Sequence, residues 1–160
     1  MKRVLCFLSV FLVILLSGCG GNKVIVKPEN LKFDFEISNG GSSFLINAAV
    51  HSGGGMEFTV LNPKNIEGFT LVFSDTAVHT EFLGVQKDFP AADGDFGVLG
   101  KIYKAFSALS GALAEKQGDI FTVPISIEDD EFIFTVTQMG VPISLDINGQ
   151  EILFSNIITN

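Results

Sequence analysis

The stretch Leu31-Lys32-Phe33-Asp34-Phe35-Glu36-Ile37-Ser38 puts an apolar residue at every second position and a polar one between. Successive side chains of a β-strand leave opposite faces, so this alternation describes a strand with one buried and one wetted face. Asn39-Gly40-Gly41 follows, with the residues a tight hairpin turn requires. The same period continues downstream. Phe44, Ile46, Ala48 and Val50 are closed by Gly53-Gly54-Gly55; Met56, Phe58 and Val60 end before Pro63; Phe69, Leu71 and Phe73 come next; Val78, Thr80 and Phe82 follow the Asp75-Thr76 turn. Five strands joined by short turns predict an antiparallel meander with no parallel crossover.

Beyond Phe89 the period changes. Leu99, Ile102, Phe106, Leu109 and Leu113 fall three and four residues apart, flanked by Val98 and Tyr103, which predicts one amphipathic helix over about residues 95–117. Asp93 or Asp95 is expected to cap its start and Gly118 to end it. Period two then returns in Phe121, Val123, Ile125 and Ile127; in Phe132, Phe134 and Val136 after Asp129-Asp130; in Val141, Ile143, Leu145 and Ile147; and, past Asn148-Gly149, in Ile152 and Phe154. The chain is therefore expected to be mainly β, with about nine strands and one main helix.

Working outward to the N-terminus, Lys2 and Arg3 precede an apolar run from Val4 to Leu16, then Ser17, Gly18 and Cys19. This is the layout of an export signal, and it resembles the bacterial lipobox, which implies cleavage between Gly18 and Cys19 and a diacylglyceryl (palmitate-type) group on the Cys19 thiol. The alternative, an uncleaved anchor, has too few apolar residues to span ~30 Å of hydrocarbon comfortably. The expected organisation is a signal at 1–18, a lipidated tether at 19–30 and a single domain at 31–160, with Val24-Ile25-Val26 a candidate short pairing segment. Loss of Lys2 and Arg3 leaves 8 lysines against 18 acidic residues, a balance of −10. Such a chain has no basic cluster for nucleic acid or anionic lipid, so attachment falls to the acyl chains, of which two hold a protein stably where one does not. Cys6 leaves with the signal and Cys19 is acylated, so no disulfide is expected and packing alone must stabilise the exported domain.

Nine strands at ~4.8 Å spacing make a ribbon ~40 Å wide, whereas a helix is only ~10 Å across. The inward face carries Phe33, Phe35, Phe44, Phe58, Phe69, Leu71, Phe73, Phe82, Phe121, Phe132, Phe134 and Phe154, and the helix adds Ile102, Phe106 and Leu109. These are the candidate cavity residues. So much apolar surface does not stay exposed on a soluble protein without a role. Either the sheet curls around the helix, or two sheets pack face to face, or the gap holds an apolar ligand. A bent sheet with room for acyl chains predicts that a charge at Phe73 or Phe106 abolishes lipid uptake.

The chain offers little catalytic chemistry. His51 and His79 fall on the wetted face without a fixed set of metal ligands, Asp93-Gly94-Asp95 is only half a calcium loop, and Asp129, Asp130 and Glu131 suit a hairpin tip. No nucleophile elbow, phosphate loop or zinc motif occurs, so neither enzyme activity, nor a cofactor, nor a metal is expected.

The order of the elements resembles the LolA/LolB-type lipoprotein-localisation carriers. It has a lipobox, antiparallel strands, Leu61-Asn62-Pro63 followed by Glu67-Gly68-Phe69, a helix, and a closing segment of Gly140-Val141-Pro142-Ile143-Ser144-Leu145 and Ile152-Leu153-Phe154. That resemblance implies an unclosed barrel, a strongly curved antiparallel sheet with a helix across its concave side, whose cavity accepts acyl chains of lipids or lipoproteins. The expected protein is anchored on the extracytoplasmic face of the cell membrane, or in an outer membrane where the cell has two, and serves lipid or lipoprotein trafficking. The alternative is a non-enzymatic envelope lipoprotein with a filled core that binds an envelope protein.

Overall fold

The computed structural model describes residues 23–91 and 96–159. The expected signal with Gly18 and Cys19, and the expected caps Asp93 and Asp95, lie outside them. Twelve strands form one antiparallel sheet: β1 (Lys23–Ile25), β2 (Leu31–Asn39), β3 (Ser42–Val50), β4 (Met56–Asn62), β5 (Thr70–Phe73), β6 (Ala77–Phe82), β7 (Val85–Pro90), β8 (Leu113–Gln117), β9 (Ile120–Ile127), β10 (Asp130–Val136), β11 (Pro142–Ile147) and β12 (Gln150–Thr159). The helix α1 (Gly97–Leu109) joins the two meanders, β2–β7 and β8–β12.

In space the order is β1-β8-β9-β10-β11-β12-β2-β3-β4-β5-β6-β7. The last strand of the chain pairs with the first long one, Phe154 opposite Phe35, and this seam joins the two meanders into one sheet. The order does not return on itself, so β1 and β7 are free edges and the sheet is not closed into a barrel. Both edges are blunted, β1 by being three residues long and β7 by Lys87, Asp88 and Pro90.

Ring contacts show that the sheet curls. Phe134 on β10 lies 5.0 Å from Phe106 of α1, and Phe73 on β5 lies 5.2 Å from Tyr103 of the same helix. Those strands are six positions apart in the order, roughly 29 Å in a flat sheet at ~4.8 Å per strand. Both can reach one helix ~10–12 Å wide only if the sheet bends around it. Ile102, Ala105, Phe106 and Leu109, spaced three, one and three apart, are the buried face of α1.

Three expectations are corrected. The sheet has twelve strands rather than about nine, because β1, β7 and β8 carry no clean alternation: β7 is exposed on both sides, as an edge strand can be. The helix ends at Leu109 instead of near residue 117. Gly111 takes φ +75°, a left-handed conformation glycine adopts freely, and Ala112 donates its N–H back to the Leu109 carbonyl. Leu113–Gln117 is rich in helix formers, yet its backbone groups are taken by β1 on one side and β9 on the other, so Leu113 leaves the helical stripe and Gly118 serves the β8–β9 turn. Finally, part of the expected tether belongs to the fold. Lys23, Val24 and Ile25 pair with Glu115, Ala114 and Leu113, and Val26 is fully buried.

Candidate functional site

The concave face divides into a closed centre and two open flanks. In the centre, Phe33 packs 4.2 Å from Phe154 and 5.4 Å from Phe106, and Phe106 in turn meets Phe134. Phe35 and Phe58 continue this array edge to face, and Phe58 reaches Phe73. Phe121, Phe132, Ile102 and Leu109 are buried in the same core. Offset and edge-on rings of this kind add stabilisation beyond the area they bury. The far end of the helix is nearly closed as well, with a recess of only 90 Å³ beside Met56, Phe106 and Ser110.

On one flank a cleft of 480 Å³ opens between the start of α1 and strands β2 to β5. Its walls are Ile37, Phe44, Ile46, Val60, Ile66, Phe69, Leu71 and Ile152 from the sheet side, with Val98 and Leu99 from the helix. Only Ser38 and Gln150 contribute polar side chains. Phe82 lies beyond its rim, 6.0 Å from Phe69. On the other flank a cleft of 540 Å³ lies between α1, the β5–β6 turn and the end of β9. Phe73, Val78, Tyr103, Ala108 and Ile127 line it, with Ser74, Asp75, Lys104 and Ser107 at the wall. Phe96, the residue before the helix, borders both clefts.

The expected cavity residues are thus distributed rather than gathered. Phe44, Phe69 and Leu71 line one cleft and Phe73 the other, while Phe33, Phe35, Phe58, Phe106, Phe134 and Phe154 pack against one another. Phe96, Val98 and Leu99 complete the walls. Leu99 and Val98 stood in the helical stripe; Phe96 gave no periodic signal.

Polar contacts fasten the wetted side of the helix. Lys101 Nζ donates to Asp130 Oδ1 at 2.6 Å and Lys104 Nζ to Glu128 Oε1 at 3.2 Å, both at the β9–β10 hairpin. Tyr103 donates its hydroxyl to Asp75 Oδ1 on the opposite side. The hydrogen bond from Lys101, seconded by Asn148, holds the Asp130 carboxyl below its ordinary pKa, and burial pushes the Tyr103 phenol up. The acidic hairpin tip foreseen at Asp129, Asp130 and Glu131 is therefore also the anchor point of the helix.

The two histidines do not come together. His79 Nδ1 lies 2.6 Å from Asp88 Oδ1, and His51 Nε2 lies 3.8 Å from Glu57. Among the described residues no group of three or more metal-binding side chains occurs, and no helix is long and apolar enough to cross a membrane.

Fold and clefts together describe an open antiparallel sheet bent around α1, with apolar space on both sides of it. No family model matches the chain, and no curated protein does. Among solved structures the chain is similar to a LolA superfamily protein, NE2245 from Nitrosomonas europaea, at 7% identity over 89% of this chain and 88% of that one, with a TM-score of 0.41.

Proposed function

We propose that this protein is a lipid-anchored protein of the extracytoplasmic membrane face that takes acyl chains into the clefts beside its helix, without catalysis. The observation that carries the reading is the pair of clefts, 540 and 480 Å³, both within the ~300–1,000 Å³ usual for small-molecule sites. Apart from Ser38 and Gln150, the walls of the smaller one are aliphatic and phenylalanine side chains, with no charged group among them. Such walls bind hydrocarbon through dispersion and water release, which need no fixed donor or acceptor geometry. At ~0.8 kcal/mol per methylene, ten buried methylenes contribute about 8 kcal/mol before the cost of immobilising the ligand. The lipobox-like Leu16-Ser17-Gly18-Cys19 supplies the anchor in this reading, and with it the compartment.

The test is native mass spectrometry of the protein extracted from its own membrane, before and after delipidation. Bound lipid that leaves on delipidation and returns with added fatty acid supports the reading, and a chain that never carries lipid removes it. A charge at Phe106 no longer serves as a test. That ring lies in the packed centre, and a charge there would destabilise the domain whether or not lipid binds.

The packed centre itself favours a second reading, an envelope lipoprotein whose core is complete and whose acidic surface docks a protein. One stoichiometric protein partner recovered from a lipid-free preparation would support it over the first.

A further inference from the structure

Two rows on the outer face of the sheet differ in character. One row across β2 to β7 is polar: Asp34 opposes Asn47, Asn47 opposes Thr59, Thr59 opposes Thr70, Thr70 opposes Glu81 and Glu81 opposes Gln86. At the other end of the sheet an outward row is apolar. Ile25 on β1 opposes Leu113 on β8; the β8–β9 register brings Leu113 level with Pro124; and Pro124 opposes Ile133 on β10. Ile25 is 55% exposed, Leu113 52% and Ile133 43%. Met139, 83% exposed, stands on the turn whose Gly140 lies so close to the Ile25 carbonyl that a Cβ there would sit 2.4 Å from its oxygen. The row ends in charge, since Ile133 opposes Asp146 on its far side.

This apolar row begins at the strand nearest the expected anchor. Lys23, the first residue of β1, is four residues after Cys19, and Val26 is locked by hydrogen bonds to Gly111 and Ala112. Four residues of fully extended chain reach roughly 14 Å, and three strand spacings carry the row roughly 14 Å from β1. Lys23 is held by Glu115 at 3.0 Å, and the chain is acidic overall, so attraction to anionic headgroups is not what orients this edge.

We infer that the outward row Ile25–Leu113–Pro124–Ile133, with Met139 beside it, is a membrane-contacting face that lies against the bilayer interface and fixes how the protein stands on it. The occupant is the bilayer because a leash of four residues keeps β1 within reach of the surface, where exposed apolar side chains gain by entering the acyl boundary. The polar row from Asp34 to Gln86 is then turned away from the membrane. This inference rests on the lipid anchor at Cys19 and not on what fills the clefts.

An acylated protein whose Cys6 has left with the signal has no free thiol, so a single added cysteine can be labelled cleanly. Ile133→Cys and Glu81→Cys, both at exposed positions, would carry an environment-sensitive fluorophore in the lipidated protein reconstituted into phosphatidylcholine vesicles. Leu83→Cys, at the exposed tip of the β6–β7 hairpin, is the third site. The label at position 133 is expected to be roughly fivefold less quenched by iodide than the label at 81, because a charged quencher does not enter an apolar boundary. Equal quenching at 133 and 81, or protection at 83 instead of 133, overturns the membrane-contacting row. The mass of the extracted chain separates this failure from the other: an unmodified Cys19 removes the anchor itself and the inference with it, whereas an acylated chain with an exposed label at 133 removes the inference alone.

Discussion

The middle of the concave face and the flanks of the helix are built from the same residues and end in opposite states. Phe33 and Phe44 both fall in the inward phase of their strands, yet Phe33 meets three other rings while Phe44 borders a 480 Å³ cleft. What differs is the position relative to a rod ~10 Å wide. Strands that pass beneath Phe106, namely β2, β10 and β12, are closed by it. At the start of the helix Phe96, Val98 and Leu99 face Phe44, Val60, Phe69 and Leu71 across a cleft, and the space stays open. Aromatic alternation therefore dictates that a face be covered, and the placement of α1 decides what covers it.

The largest effect should come from the closed centre. Phe106→Ala removes the ring on which three strands converge and leaves a cavity, costing about 3–5 kcal/mol of stability by urea unfolding. A domain stabilised by ~5–15 kcal/mol and lacking disulfides would lose a large share of its margin. A loss under about 1 kcal/mol would mean that the centre is not packed as described, since a well-filled site does not close over such a gap.

Next in size is the matching change on a flank. Leu99→Asp places a carboxylate in the wall of the smaller cleft, from a side chain that is already part-exposed. Fatty-acid affinity should fall at least tenfold, ~1.4 kcal/mol, while the urea midpoint stays within a few tenths molar of the parent. If binding survives, the smaller cleft is not where acyl chains go, and this flank loses its functional meaning.

How much of this was legible in the sequence follows from the same geometry. Strand alternation from Leu31 to Ser38 and from Phe132 to Val136 needs only local period, so the inward face could be read residue by residue. The end of the helix could not. Leu113-Ala114-Glu115-Lys116-Gln117 has the composition of a helix, and only pairing with β1 and β9, about 90 residues away for β1, makes it a strand. Gly111 was the available signal, a glycine inside an otherwise helical pattern. The split of the cavity residues was not legible either, because which rings meet depends on the curl of the sheet and not on their phase. Asp130 could be placed at a hairpin tip, whereas its bond to Lys101 spans 29 residues and has no local mark.

On the outer face the comparison continues at smaller scale. Thr122 opposes Thr135 on β10 and Glu115 on β8, and its Oγ1 is buried without a hydrogen-bond partner. A buried hydroxyl with no partner keeps its desolvation cost and returns nothing for it. Thr122→Val should therefore raise stability by about 1 kcal/mol, against the usual direction of core substitutions. A measured loss would place an acceptor near that oxygen and would make this part of the sheet as closed as the centre.

The smallest effect concerns what holds the helix between its two open flanks. Asp130 accepts hydrogen bonds from Lys101 at 2.6 Å and Asn148 at 2.7 Å, and the first of these is the main cause of its lowered pKa. A carboxyl whose folded pKa lies below its unfolded value takes up protons more readily once the chain unfolds. Its contribution is complete above the unfolded value of ~3.9 and drains away as pH falls through that value toward the depressed folded one. Asp130→Asn should accordingly flatten the fall in thermal midpoint below about pH 4, with only a slight loss at pH 7 because the pair is partly exposed. Lys104, next along the helix and bonded to Glu128, stands in the wall of the larger cleft, so the fastening of this side also sets how firmly that cleft is held. Identical acid limbs in parent and variant would mean that the Lys101 contact adds nothing. The width of both flanks would then be governed by the aromatic centre alone.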